Sequence, residues 1–219
     1  MTDEPYDAKP DRATRADRKP ARKVPRKATS RYLNNAARFY LERYATSVAG
    51  FRAYLLRKVD ASAREHGTSP EEGREEIERL VELFTNMRAL DDQRFAEQRA
   101  GSLHRKGKAK RAIAQDLKTK GISEPLIQKA LESLQDGDEA IDPDFQAAVR
   151  YARKKGFGPF AALKIRSLRS AELETDEQET KKIRQRSLAA FARQGFSLSL
   201  AERILNSEDP HALEEEAGL

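Results

Sequence analysis

The chain has 219 residues, of which 38% are hydrophobic and 36% charged, and its formal net charge is +6. It contains no cysteine, so a disulfide scaffold, a thiolate metal site and a cysteine nucleophile are excluded. No apolar run approaches the roughly 18–20 residues that a membrane-spanning helix needs, and residues 1–30 lack the apolar centre of a secretory signal, so we expect a cytoplasmic protein without membrane contact.

Residues 1–31 have the composition of a disordered basic arm. They hold ten basic residues, five acidic residues and four prolines, and so account for +5 of the net charge of +6. Too few apolar side chains are present to build a core. The arm is typical either of an electrostatic tether to nucleic acid or of a solubilising tail, and the sequence leaves both interpretations open.

From residue 32 onward the apolar residues recur at intervals of three and four, which predicts an all-α protein. Residues 32–90 form a divergent first helical module. Its clearest helix is "SPEEGREEIERLVELFTNM", in which Ser69 is a good cap and Pro70 suits the first turn. The apolar face of this helix consists of Ile77, Leu80, Val81 and Phe84.

The sequence pattern of residues 91–136 predicts a middle module of three short helices. The first is capped by Asp91 or Asp92 and stops near Gly107, and the second ends at Gly121 in the left-handed conformation that glycine favours. The third opens at Ser123 and buries leucine, isoleucine and alanine side chains.

This pattern recurs in residues 143–207, which we predict to be a third module. Aligning Gly121 with Gly195 superimposes "KGISEPLIQKAL" on "QGFSLSLAERIL". The third module carries an extra helical segment, "GPFAALKIRSLRSAELETDEQET", and residues 208–219 are predicted to be an acidic flexible tail. The expected architecture is an elongated, curved tandem of three three-helix modules whose neighbours share core surface.

The residues that could carry out catalysis do not form a recognisable site. A phosphate-binding loop is excluded because Gly101 and Gly107 are one residue too far apart and Ala109 replaces the magnesium-binding hydroxyl. The three histidines, His66, His104 and His211, are too scattered to bind a metal. No nucleophile, base and orienting group can be assembled by spacing, so we expect neither enzymatic activity nor a cofactor.

Two basic clusters are the candidate binding residues. One surrounds Gly107 and the other precedes Gly156. Their recurrence in two modules favours contact with phosphates or with an acidic protein groove, and the alternative is that they solvate helix C-termini. The aromatic rings of Tyr151 and Phe157 lie nearby and could stack on bases, although core packing is favoured. The candidate residues are Arg105, Lys106, Lys108, Lys110, Arg111, Arg153, Lys154 and Lys155.

The middle module, "LDDQRFAEQRAGSLHRKGKAKRAIAQDLKTKGISEPLIQKAL", resembles the signature repeat of the RecX family, which regulates the RecA recombinase. The segment "SLAAFARQGFSLSLAERIL" is similar to the final repeat of that family. The resemblance extends over roughly residues 35–206. The basic arm, the hydrophilic stretch "DASAREHGTSPEEGREE" and the extra segment of the third module depart from the family pattern, which leaves the shape of the outer modules open. The features shared by the middle repeat are Asp92, Phe95, Ala96, Arg99, Gly107, Ile113, Leu117, Gly121, Ile122, Ile127 and Leu131.

The resemblance implies a monomeric, non-enzymatic regulator that binds the RecA filament on single-stranded DNA. Such proteins inhibit the ATPase, strand-exchange and coprotease activities of RecA, and so act in DNA repair, recombination and the SOS response. Two alternatives remain open at this level. One is a helical DNA-binding module or transcriptional regulator that uses the basic arm, and the other is a scaffold for a different acidic partner.

Overall fold

A computed structural model describes residues 24–135, 141–161 and 177–219. The secondary structure of these residues is helical throughout, without a strand, as the sequence predicted. Within these ranges no helix is long and apolar enough to cross a membrane. The first 23 residues of the predicted arm, and residues 162–176 of the predicted extra segment, lie outside the described residues.

Three helices enclose the first core: α1 (Ser30–Leu41), α2 (Val48–His66) and α3 (Pro70–Asn86). Each is capped by a hydroxyl side chain that accepts a backbone N–H, and these caps are Thr29, Ser47 and Ser69. The apolar faces meet in a cluster that includes Leu33, Phe51, Leu55, Val59, Ile77, Leu80 and Phe84.

The boundary predicted between the arm and the first module lies too far along the chain. Helix α1 begins at Ser30, and the preceding residues already pack against the end of α2. The backbone N–H of Ala28 donates to the Ser62 hydroxyl (2.8 Å), and His66 Nε2 lies 2.7 Å from the Pro25 carbonyl oxygen. These contacts hold residues 25–28 against the module, although their composition alone is that of the arm.

The middle core lies among α4 (Asp92–Arg105), α5 (Lys110–Thr119) and α6 (Glu124–Glu132). Asp91 is the cap of α4, because its carboxylate accepts the N–H of Arg94 (2.9 Å). The core consists mainly of Ala96, Ala100, Ile113, Leu117, Ile122, Ile127 and Ala130.

The third core is formed by α7 (Pro143–Lys155), α8 (Glu177–Gln194), α9 (Leu198–Asn206) and α10 (Pro210–Glu216). The predicted alignment of the modules is reproduced here, since Ser187 and Phe191, which correspond to Ile113 and Leu117, are both buried. The buried Ser187 hydroxyl is satisfied by the Ile183 carbonyl (2.9 Å).

The prediction of a flexible tail at residues 208–219 is wrong, because Pro210–Glu216 form helix α10. Asp209 caps this helix, Pro210 occupies its first turn, and Leu213 and Ala217 are buried in the third core. Two apolar residues spaced by four are enough to dock one helical turn when a neighbouring module supplies the surface. The acidic residues around them concealed this pattern in the sequence.

Four glycine turns end helices in the same way, and the left-handed conformation predicted for Gly121 is one of them. Gly107, Gly121, Gly156 and Gly195 all have positive φ, between 70° and 91°. In each turn the glycine N–H donates to the carbonyl oxygen three residues earlier. The N–H of the following residue donates to the carbonyl oxygen five residues before it. This is the Schellman arrangement, which only a residue tolerant of the left-handed region adopts without strain.

Candidate partner-binding surface

The first and middle modules meet where the N-terminus of α2 faces the turn between α5 and α6. The Ser47 hydroxyl donates to the Lys120 carbonyl (2.6 Å), and the Val48 N–H donates to Asp92 Oδ1 (2.8 Å). A Cβ atom at Gly121 would overlap the Cβ of Ala49, so the two backbones approach as closely as glycine permits.

The middle and third modules meet through an equivalent set of contacts. The Ala109 N–H donates to the Gln194 carbonyl (3.1 Å), and the Lys110 N–H donates to Asp144 Oδ1 (2.7 Å). A Cβ atom at Gly195 would lie 2.9 Å from the Cβ of Ala112. The same junction therefore occurs twice along the chain, and it relates successive modules in the same manner.

The first basic cluster lies on the turn between α4 and α5, directly at the second junction. A Cβ atom at Gly107 would lie 2.8 Å from the Cβ of Tyr151 and 3.2 Å from the Ala147 carbonyl oxygen, so the turn is pressed against α7. His104 Nε2 lies 2.7 Å from the Pro143 carbonyl oxygen. This packing holds the basic residues of the turn on a rigid support.

Not all five residues of this first cluster are equally available to a partner. Arg105, Lys106 and Arg111 are exposed, whereas Lys108 and Lys110 are half-buried. The backbone of Lys110 is also engaged at the junction. A partner would therefore meet mainly the three exposed side chains.

The second basic cluster ends α7. Arg153, Lys154 and Lys155 are all exposed. They follow Tyr151 by two to four residues, which corresponds to roughly 3–6 Å along the helix axis. Because Tyr151 supports Gly107, the two clusters occupy neighbouring positions on the protein. Arg153 also pairs with Glu214 of α10 (3.2 Å), so the C-terminal helix partly neutralises this cluster.

The aromatic rings near the second cluster belong to the core, as the sequence favoured. The Tyr151 ring packs edge-on against Phe157 and Phe191, with centroid separations of 5.9 and 5.6 Å. Only 7% of Tyr151 is exposed. It therefore cannot stack on a base without disrupting the third module.

Sequence reasoning overlooked a cleft of about 530 Å³ between the middle and third modules. Arg111 and Arg203 line it together with Asp142 and Asp144. Arg203 is held by an ion pair with Glu216, and its guanidinium lies 4.5 Å from the centroid of the Phe145 ring. The cleft joins residues from both modules, so spacing within one repeat could not have revealed it.

Two charged interactions inside the modules have clear electrostatic consequences. Arg99 of α4 forms a two-point ion pair with Asp116 of α5, which lowers the pKa of Asp116 and raises that of Arg99. Burial lowers the pKa of His104, which favours the neutral ring at the second junction. The described residues contain no group of three or more potential ligands able to hold a metal ion.

The family model for the second three-helix domain of RecX matches residues 91–131, which contain α4, α5 and all but the last residue of α6, together with the first basic cluster. The chain is 34% identical to Regulatory protein RecX of Myxococcus xanthus over 185 residues, covering 84% of this chain and 90% of that protein. The chain belongs to the RecX family.

Two further relatives show the same similarity over most of the chain. Regulatory protein RecX of Agrobacterium fabrum is 30% identical over 180 residues, covering 81% of this chain and 85% of that protein. A relative from Mycobacterium sp. strain KMS is 29% identical over 163 residues, covering 71% of this chain and 80% of that protein. All three relatives carry the name of a regulatory protein rather than an enzyme. No solved structure matches the chain.

Proposed function

We propose that this RecX protein binds the RecA filament on single-stranded DNA and inhibits its ATPase, strand-exchange and coprotease activities. It acts as a monomeric cytoplasmic regulator, without catalysis or a cofactor, and thereby regulates DNA repair and recombination. The family relationship supports regulation, and the repeated junction supports the mode of binding.

The observation that carries the proposal is the recurrence of one junction geometry. The contacts of Val48 with Asp92 are repeated by Lys110 with Asp144, so successive modules follow one another by a regular step. A regular array of modules presents an extended surface with repeating contacts. Such a surface is suited to a helical polymer, in which equivalent sites on neighbouring subunits also repeat.

The two basic clusters supply the charge that this binding mode needs. They are carried by the corresponding turns of successive modules, at the ends of α4 and α7. Positive side chains at repeating positions complement acidic protein surfaces or exposed phosphates along a filament. The rigid packing of Gly107 on α7 limits the conformational entropy lost when these residues bind.

The direct test is single-stranded-DNA-dependent ATP hydrolysis by RecA, titrated with the full-length protein. Strong inhibition well below one protein per RecA supports action on the filament rather than on single subunits. A parallel measurement of DNA occupancy excludes simple removal of the DNA. An unchanged rate together with tight, salt-sensitive binding to bare duplex would instead favour the DNA-binding module.

A matched pair of charge-reversal variants tests the basic turn. Replacing Arg105, Lys106 and Arg111 by glutamate is expected to weaken filament binding by roughly tenfold or more, because attraction becomes repulsion. The control replaces three other exposed lysines of the middle module, Lys118, Lys120 and Lys129, by glutamate. Equal loss in both variants would mean that net charge alone matters, and unchanged binding in the first would refute a role for the turn.

A further inference from the structure

Helices α1 and α2 expose an aromatic surface that the proposed function does not use. The rings of Tyr40 and Tyr54 are stacked, with centroids 3.9 Å apart and planes 10° apart. The Tyr44 ring continues this row, 5.2 Å from Tyr40. These three rings, from α1, the turn that follows it and α2, form one continuous row.

Cationic side chains lie against Tyr54 and against two further rings, Tyr32 and Phe39. Lys58 Nζ lies 4.8 Å from the Tyr54 centroid and 5.7 Å from the Tyr32 centroid. In addition, the guanidinium carbon of Arg43, in the turn after α1, lies 3.9 Å from the centroid of Phe39, which directly precedes Tyr40 in α1. We define these seven residues as the aromatic–basic strip: Tyr32, Phe39, Tyr40, Arg43, Tyr44, Tyr54 and Lys58.

Some rings of the strip are fixed against the core, and others are exposed to solvent. Tyr32, Tyr40 and Tyr54 pack partly against the first core, which fixes their orientation. By contrast, 57% of Tyr44 and 50% of Phe39 are exposed, although burial of a large aromatic ring is strongly favourable. The first core therefore does not account for these two rings.

The charge of the first module is unevenly divided among its helices. Residues 30–66, which include α1 and α2, hold seven lysines or arginines and three acidic residues. Helix α3 holds two basic and six acidic residues. One of these charges, Arg52 of α2, is paired with Glu78 of α3 (2.6 Å), but the α1–α2 side still carries the excess of positive charge and attracts an anion more strongly than α3 does.

We propose that the aromatic–basic strip binds single-stranded nucleic acid by stacking unpaired bases on its exposed rings. Aromatic side chains beside cations provide both interactions that such a strand requires, stacking for the bases and attraction for the phosphates. A duplex fits poorly because its bases are already stacked. The basic arm of the chain itself would be repelled by the same cations, which disfavours it as the occupant.

Intrinsic tyrosine fluorescence reports this site directly. The chain has no tryptophan and six tyrosines, and four of these tyrosines belong to the strip. Titration of the full-length protein with an oligothymidylate of about 16 nucleotides, in about 0.2 M salt, is expected to quench this emission as bases stack. An abasic oligonucleotide of equal length carries the same phosphates without the bases, and it should quench little and bind roughly tenfold more weakly.

Exposed positions allow variants that leave the core intact. We expect Tyr44→Ala to weaken oligothymidylate binding by about tenfold, the effect of losing one stacked base, while Tyr44→Phe, which keeps the ring, restores it. Arg43→Gln should weaken binding severalfold more than Arg74→Gln. The matched residue Arg74 is an exposed arginine of the acidic helix α3, where it pairs with Glu71. Circular dichroism confirms that each variant remains folded.

Three results would overturn the proposal: equal affinity for the abasic strand, unchanged binding by Tyr44→Ala, or equal effects of Arg43→Gln and Arg74→Gln. Any of these would assign the binding to general electrostatics. Comparing oligothymidylate with oligouridylate shows whether the strip prefers DNA or RNA, because the preferred strand binds more tightly. Because no recombinase is present in the assay, failure here leaves the filament proposal untouched.

Discussion

Replacing Gly107 by alanine tests whether the junctions between modules, rather than the modules alone, stabilise this protein. Gly107 has φ of 78°, and an added Cβ would lie 2.8 Å from the Cβ of Tyr151 and 3.2 Å from its Cα. Real Cβ atoms essentially never approach another atom to 2.8 Å, and both atoms belong to Tyr151 in the packed helix α7. The middle and third modules must therefore separate slightly or strain.

The expected loss in the free energy of unfolding of Gly107→Ala has two separable contributions. Placing alanine in the left-handed region costs about 1–2 kcal/mol, offset by about 0.4–1 kcal/mol from the smaller entropy of the unfolded chain. Overpacking adds about 1–3 kcal/mol. Gly67→Ala isolates the first contribution, because Gly67 has φ of 63° and its Cβ would meet nothing within 4 Å. The two variants should therefore differ by about 1–3 kcal/mol.

Urea denaturation followed by circular dichroism measures this difference directly. We expect Gly107→Ala to unfold at clearly lower urea than Gly67→Ala, with a broader transition because uncoupled modules no longer unfold together. Equal midpoints for the two variants would refute close packing of the turn on α7. A sharp single transition in Gly107→Ala would contradict the role of this junction in cooperativity.

Two further predictions concern the second junction and the C-terminal helix. Since burial lowers the pKa of His104, the unfolded chain takes up the proton first, and stability should fall as the pH drops below about 6.5 toward the folded pKa. His104→Gln should therefore show a smaller difference in urea midpoint between pH 8 and pH 5.5, and an identical pH dependence would contradict a buried neutral ring. Leu213→Ala should cost about 2–3 kcal/mol, because this side chain is only 5% exposed in the third core. Leu198→Ala, at a position 63% exposed, should change stability by less than about 0.5 kcal/mol in the same denaturation assay. Equal stability of the two variants would mean that α10 does not contribute to the fold.

Local signals in the sequence predicted the helices well because each signal acts over a few residues. Ser69 and Pro70 begin α3 as expected, and the glycines at 107, 121, 156 and 195 end helices in the left-handed conformation. The alignment of Gly121 with Gly195 also paired Ile122 with Phe196, and both are buried. Capping, helical periodicity and glycine turns depend on neighbouring residues, so they can be read along the chain.

The candidate site was only partly predictable. The sequence singled out the basic turn around Gly107, but the support that holds it comes from Tyr151 and Ala147 of the next module. It also missed that Asp92 bonds across to Val48, because a carboxylate at a helix start is ordinarily assigned to capping its own helix. Segregation of charge between α1–α2 and α3 could have been found by counting residues helix by helix.

The sequence by itself therefore determined the all-helical class, the ends of most helices and the repeat that relates the modules. The tertiary structure decided which faces meet. It brings Tyr40 next to Tyr54, buries Tyr151, and docks α10 through Leu213. Periodicity shows that a helix has an apolar face but not which neighbour covers it, because that choice depends on the packing of residues far apart in the chain.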